Sequence, residues 1–129
     1  MNRHRERFAA ARVAVLATLT RDGAPHLVPV TFALDGDVLW TATDGKPKRS
    51  GLLARHRNIA ADSRVSLLAQ HFTEDWKQLW WVRADGLARI MADPAPAFAA
   101  LRAKYPQYAE VALGQPVIEV RVTGWQGWP

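Results

Sequence analysis

The sequence predicts a mainly β fold, in which six antiparallel strands form a barrel or strongly curled sheet with flanking helices. Short runs of β-branched and other apolar residues recur along the chain, and Asp-Gly turns join neighbouring runs. The helical segments fall between groups of strands, whereas a βαβ fold would alternate the two element types. We therefore expect a single domain over residues 1–129.

Six segments are predicted as strands from their apolar content or their alternation. They cover residues 13–19, 25–34, 38–43, 64–72, 79–91 and 117–122. Turns at Asp22-Gly23 and Asp35-Gly36 predict that the first three strands form a meander. Pro29 cannot donate to a strand ladder, so it predicts an edge, a bulge or a gap that faces a ligand.

Three helices are predicted between the strands. They cover residues 2–11, a segment with Ser50 as its N-cap, and a segment that starts at Asp93-Pro94 and stops at Pro106. In the second helix His56 lies on the apolar side, which is typical of a packed core histidine. Gly86, inside the fifth strand, predicts a β-bulge.

The net charge of +5 lies in one short segment. Residues 46–64 contain one acid, Asp62, and six cations, namely Lys46, Lys48, Arg49, Arg55, Arg57 and Arg64. Three of these cations directly precede a helix start, which favours a site for a compact anion such as a phosphate. On the residues alone, a solvated basic turn is the preferred interpretation and the anion site is the alternative; the resemblance described below reverses this order.

Several functional classes lack support in the sequence. The histidines show no metal-ligand spacing, and neither a GxSxG, a P-loop nor a Rossmann glycine pattern is present. No apolar run reaches 18 residues, so we expect a protein that does not enter a membrane. The sequence has no cysteine, which fits the cytoplasmic location that we expect. Nucleic-acid binding is disfavoured, because the cations are clustered and lack interleaved exposed aromatic residues.

Four segments, LATLTRDGAPHLVPVTFAL, LWTATDGKPKR, NIAADSRVSLL and WWVRADGLARI, carry a resemblance that extends over nearly the whole chain. In order and spacing the chain resembles the split-barrel flavin and deazaflavin oxidoreductases related to pyridoxamine 5′-phosphate oxidase. It is most similar to their short actinobacterial, F420-dependent branch. The resemblance implies a six-stranded, FMN-binding split β-barrel that forms a homodimer with two cofactor clefts, each built from both subunits.

The resemblance also implies which residues bind the cofactor. Lys46, Lys48 and Arg49 match the positions that hold its phosphate, although many relatives have an arginine at the first of them. Residues of two strands match positions beside the flavin or deazaflavin ring: Val28, Pro29, Val30 and Thr31, and Trp40, Thr41, Ala42 and Thr43. Such a ring needs a flat apolar slot with a few polar partners.

Six tryptophans are many for this length, and we expect most of them in the core or at a subunit contact. Trp80 and Trp81 are adjacent on a strand, so they must face opposite sides. Trp125 and Trp128, in the C-terminal GWQGW segment, are candidates for the wall of the cofactor pocket.

The function that the sequence favours is hydride transfer from coenzyme F420 to a small planar or unsaturated substrate. The chemistry then belongs to the cofactor, so no catalytic side chain and no metal ligand is assigned. An FMN-dependent oxidoreductase and a non-catalytic cofactor-binding protein are the alternatives. No arginine follows Arg121, which argues against a pyridoxamine phosphate oxidase, and no histidine lies near the C-terminus to bind haem iron.

Overall fold

The computed structural model describes residues 2–44 and 53–129, which form seven β-strands and three α-helices. The strands are β1 (Ala14–Leu19), β2 (Pro25–Val30), β3 (Ala33–Asp35), β4 (Val38–Asp44), β5 (Arg64–His71), β6 (Trp80–Met91) and β7 (Leu113–Trp128). The helices are α1 (Arg3–Ala10), α2 (Ala54–Ala61) and α3 (Ala95–Lys104), and short 3-10 turns cover Trp76–Gln78 and Pro106–Ala109.

All seven strands belong to one antiparallel sheet with the order β2-β1-β5-β6-β7-β4-β3. This sheet curls around a single main core. Three strands separate Leu16 of β1 from Leu39 of β4 in the sheet, yet both are fully buried in the same cluster with Phe8 of α1 and Phe32. The mainly β, curled antiparallel architecture expected from the sequence is therefore confirmed.

The number of strands is seven, not six, because the predicted strand over residues 25–34 is broken after Val30. At the break, side chains replace the ladder as partners of the backbone. The Phe32 N–H donates to the Tyr105 hydroxyl at 3.1 Å, and the Thr41 hydroxyl donates to the Thr31 carbonyl at 2.7 Å.

The predicted meander is consequently wrong. Strand β2 pairs with β1, whereas β3 pairs with β4, and these two hairpins lie at opposite edges of the sheet. Of the three alternatives expected at Pro29, the structure shows the edge, since β2 is the outermost strand on its side. Both hairpin turns have the expected positive φ, +83° at Gly23 and +62° at Gly36.

The last strand runs over Leu113–Trp128 instead of residues 117–122, because its glycine-containing end continues the ladder with β6. The bulge expected at Gly86 is present. Asp85 pairs with Gly124 and Gly86 pairs with Val122, so β7 has one extra residue at this step. A side chain at Gly86 would overlap the carbonyl oxygen of Arg121.

The helices cover parts of the sheet that would otherwise be open. Helix α2 begins at Ala54, and the predicted N-cap Ser50 lies outside the described residues. His56 is buried, as expected for a core histidine. Leu101 and Tyr105, at the end of α3, pack with Ala33 of β3 in a second, smaller cluster. In the described ranges, none of the helices has the length and apolarity that crossing a bilayer requires.

Candidate functional site

The predicted phosphate-binding residues Lys46, Lys48 and Arg49 lie outside the described residues. From Leu53 onward, two hydrogen bonds fix the position of the chain. The Leu53 N–H donates to Nδ1 of His56 at 3.1 Å, and Asn58 donates to the buried Thr18 hydroxyl of β1 at 3.0 Å. Helix α2, which begins five residues after Arg49 in the sequence, is thereby fixed to the sheet.

The charges of α2 affect its histidine. Burial, and then the charges of Arg55 and Arg57, lower the pKa of His56, while the Pro116 carbonyl acts in the opposite direction. His56 is therefore mainly neutral near pH 7, which leaves Nδ1 free to accept the Leu53 N–H.

The four predicted ring-facing residues of the first segment point in different directions. Val28 and Val30 turn toward the main core, and Val30 belongs to it. Pro29 points to the opposite, outer face of the sheet, where it pairs with Val15. The Thr31 hydroxyl shares a 2.6 Å hydrogen bond with the Tyr108 hydroxyl.

The second predicted segment lies on β4, and its inward side is already used by the fold. Thr41 is buried, and its hydroxyl donates to the Thr31 carbonyl, so the structure does bring the two segments together. Ala42 packs against the smaller cluster under α3. Trp40 and Thr43 are partly buried.

The two C-terminal tryptophans occupy different environments. Trp125 packs edge-on against Phe8 at 5.5 Å between ring centroids, and its indole N–H donates to Asp37 at 3.2 Å. Trp128 is half exposed and pairs with Trp81 across β6 and β7. As expected, Trp80 and Trp81 face opposite sides, with Trp80 against the core.

The outer face of β2, β1, β5 and β6 contains a groove of about 600 Å³. Its walls are mainly apolar, and polar side chains enter it at only three positions. The apolar lining comes from Val15, Ala17, Leu27, Leu67, Leu68 and Trp81, and the polar lining from Ser66, Gln70 and Arg83. A groove of this size, with apolar walls and few polar groups, is typical of a site for a flat organic molecule.

Two of the predicted cofactor-binding residues border this groove. Pro29 pairs with the lining residue Val15, and Trp128 pairs with the lining residue Trp81. The groove therefore connects part of the predicted ring site with the C-terminal tryptophan, although these residues are about 100 positions apart in the chain.

The polar side of the groove is an organised cluster of Ser66, Arg83 and Asp85. The Ser66 hydroxyl donates to Asp85 Oδ1 at 2.7 Å, and Arg83 donates through Nε to Oδ1 at 2.9 Å and through Nη2 to Oδ2 at 3.2 Å. Partial burial alone would raise the pKa of Asp85, but the hydrogen bonds from Ser66 and Arg83 and the charge of Arg83 lower it overall. Asp85 is consequently ionised at neutral pH.

Sequence reasoning did not identify the groove. A signal was available in β1, where apolar residues occupy both alternating faces, a pattern that indicates a strand covered on both sides. The outward face of β5 gives no such signal, because Leu68 is its one apolar residue. The pairing of β1 with both β2 and β5 assembles the outward faces into one surface.

Comparison with solved structures shows the same fold in several proteins. A heme binding protein from Mycobacterium smegmatis has a TM-score of 0.75 at 23% identity, and the match covers 97% of this chain and 52% of that one. A FAD-binding protein from Mesorhizobium loti has a TM-score of 0.67 at 19% identity, with 95% and 87% covered. HupZ of Group A Streptococcus has a TM-score of 0.68 at 16% identity, with 97% and 91% covered. Among curated proteins, none matches this sequence significantly.

The curled antiparallel sheet, with its outer groove, places this chain in the class of split-barrel proteins. More specifically, the family model described as pyridoxamine 5′-phosphate oxidase matches residues 1–129, so the chain belongs to that family. The resemblance found in the sequence is thereby confirmed at the level of the family.

Proposed function

We propose that this protein is a homodimeric oxidoreductase that binds coenzyme F420 and transfers a hydride to a small planar or unsaturated substrate. The observation that carries the proposal is the groove beside Pro29 and Trp128, in a chain that belongs to this family along its whole length. The cationic residues Lys46, Lys48 and Arg49 supply the complementary part, an anchor for the phosphate of the cofactor.

The described residues fit a flat heteroaromatic ring. Leu27, Leu68 and Trp81 offer apolar surface, and Gln70 and Ser66 offer hydrogen-bonding groups for the polar edge of such a ring. When bound in its reduced form, the deazaflavin would supply a hydride, the substrate would be reduced, and a proton would come from water.

The chain itself contributes binding, orientation and exclusion of water. The apolar walls of the groove displace water from the face of a bound ring, and this lowers the local dielectric constant around the reacting atoms. Residues 46–49 would fix the phosphate end at a distance from the ring. No side chain is assigned as a proton donor.

The homodimer is proposed from the same outer face. Leu27 and Leu87 are 64% and 50% exposed, and Trp128 is 51% exposed. Apolar side chains exposed at this level on one face of a sheet are typical of an interface. A second copy that packs on part of this face would convert the open groove into a closed cleft.

FMN is the alternative cofactor, and it is favoured by one observation. A protein with this fold from Mesorhizobium loti is described as FAD-binding, so the fold also accepts flavins. The third possibility, a protein that stores or presents cofactor without turnover, differs only in the absence of catalysis.

Titration of the purified protein with F420, FMN, FAD and haem tests the proposal. We expect quenching of F420 fluorescence with a micromolar or lower Kd, a weaker affinity for the flavins, and one cofactor per subunit. Tighter binding of FMN would replace F420 in the proposal. Haem binding with no affinity for either F420 or flavin would overturn the oxidoreductase. Binding of F420 without reduction of any of a panel of quinones, enones and nitroaromatics would favour the storage protein.

A further inference from the structure

The middle strand of the sheet carries an ion pair at the centre of its apolar outer face. Strand β6 is the fourth of seven strands, and Arg83 and Asp85 lie two residues apart on it, so both point outward. Trp81 and Leu87 flank the pair along the strand. In the neighbouring strand, Leu68 pairs with Arg83. The other cross-strand neighbours are Ser66, which pairs with Asp85, and Gln126, which pairs with Arg83. An acid and a base therefore lie side by side in a small polar patch with apolar side chains at Trp81, Leu68 and Leu87 around it.

This ion pair is held in a fixed orientation. Arg83 donates two hydrogen bonds to the Asp85 carboxylate, and Ser66 donates a third. Both charged side chains are still accessible, with 44% of Arg83 and 37% of Asp85 exposed. Among the residues that the structure describes, Nη1 of Arg83 has no hydrogen-bond partner. A donor and an acceptor thus remain available to an incoming surface.

A partner that covers the apolar face must satisfy these groups. A purely apolar partner would remove Arg83 and Asp85 from water without giving them new hydrogen bonds, which is unfavourable. The partner therefore needs an acceptor for Arg83 and a donor or cation for Asp85, at the same separation. A second copy of this chain has both, because a two-fold axis brings residue i of one copy to residue j of the other and j to i.

We propose that two copies pair through this outer face about a two-fold axis beside β6, so that each Arg83 binds Asp85 of the partner subunit. This inference rests on the homodimer of the proposed function and defines its register. The four charged groups then form a closed ring in which every charge has an opposite neighbour. Apolar surfaces alone permit many offsets, whereas this ring is satisfied at one offset only.

Two charge-reversal variants test the inference. In each of them, residues 83 and 85 carry charges of the same sign, so the internal ion pair is lost. Arg83→Glu makes the patch wholly acidic, and Asp85→Lys makes it wholly basic. We expect each variant alone to dimerise at least about tenfold more weakly than the wild type, because like charges would face each other across the axis. When the two are mixed, native mass spectrometry should show a heterodimer well above the half expected from random pairing.

The control pair is Arg102→Glu and Glu110→Arg, which repeats the charge changes at two exposed positions around α3, away from this face. This pair should mix at random, so any preference due to net charge is measured separately. Circular dichroism and urea unfolding check that each variant is folded. Random mixing of folded Arg83→Glu and Asp85→Lys would overturn the ring while leaving the dimer intact. A wild type that sediments as a monomer would overturn the proposed homodimer itself.

Discussion

The guanidinium of Arg89 on β6 donates two hydrogen bonds to the carboxylate of Glu119 on β7, at 2.8 Å from Nε to Oε1 and 3.4 Å from Nη2 to Oε2. The two partners differ in environment, since 9% of the Glu119 side chain is exposed against 62% of Arg89. Glu119 also pairs with Trp40 of β4. Nη2 of Arg121 lies farther away, 4.0 Å from Oε1. A nearly buried carboxylate thus depends on exposed cations for compensation, and Arg89 provides both hydrogen bonds.

Replacing Arg89 tests this dependence. Arg89→Met should lower the melting temperature by several degrees, because it leaves the charged Glu119 carboxylate without the two N–H donors of the guanidinium. Arg102→Met, at an exposed position on α3, is the matched control and should melt close to the wild type. Adding Glu119→Gln to Arg89→Met should recover much of the loss. An unchanged melting temperature for Arg89→Met would contradict the interpretation.

Gly86 and Gly124 provide a second test, since they lie on the two strands of the bulge. Gly86→Ala should lower the free energy of unfolding by about 1–3 kcal/mol, because its methyl group would overlap the Arg121 carbonyl. Gly124→Ala has no atom within 4 Å of the added carbon and should change that free energy by less than about 0.5 kcal/mol. Urea unfolding of both variants measures the difference, and equal effects would refute the close approach at Gly86.

Lys104 should make stability depend on pH. Its Nζ is buried, has no hydrogen-bond partner within residues 2–44 and 53–129, and lies 3.7 Å from the centroid of the Phe32 ring. Burial and then the charge of Arg12 lower its pKa from 10.5 to about 8. In the unfolded chain the amine keeps its proton to higher pH, so the unfolded state binds more protons between pH 8 and 10.5, and stability rises with pH there.

Lys104→Met removes this penalty. At pH 7 we expect the free energy of unfolding of the variant to exceed that of the wild type by about 1–2 kcal/mol. This value is reduced to account for the partial exposure of the Lys104 side chain. That advantage should shrink as the pH rises above about 8 and vanish near 10.5. Lys77→Met, at an exposed turn position, should show no such trend. A constant difference at all pH values would show that packing, not charge, distinguishes Lys104→Met.

The phosphate anchor is tested by Lys48→Ala. Loss of one charge-assisted hydrogen bond is worth roughly 1.5–3 kcal/mol, so affinity for the cofactor should fall about ten- to a hundredfold. The melting temperature of the free protein should hardly change, because removing one of the six cations of residues 46–64 relieves repulsion among like charges. Lys77→Ala is the control for a lost positive charge. Unchanged affinity of Lys48→Ala for F420, FMN and FAD would remove the anchor from residues 46–49.

Local sequence signals were enough for much of the fold. Turn glycines at positions 23 and 36 adopt positive φ, and Pro29, which cannot donate to a strand ladder, lies on an edge strand. The concentration of positive charge in residues 46–64 is likewise visible in the sequence itself. Each of these properties depends on a residue and its near neighbours, so the tertiary structure does not alter it.

The break between β2 and β3 was decided by the tertiary structure. It depends on the Tyr105 hydroxyl, which reaches the Phe32 N–H from 73 positions away. The outer groove is equally non-local, since β2, β1, β5 and β6 must pair before Leu27 and Trp81 line one surface. Period and turn propensity determine which way a side chain points, whereas the identity of the strand beside it follows from the free energy of closing the whole sheet around one core.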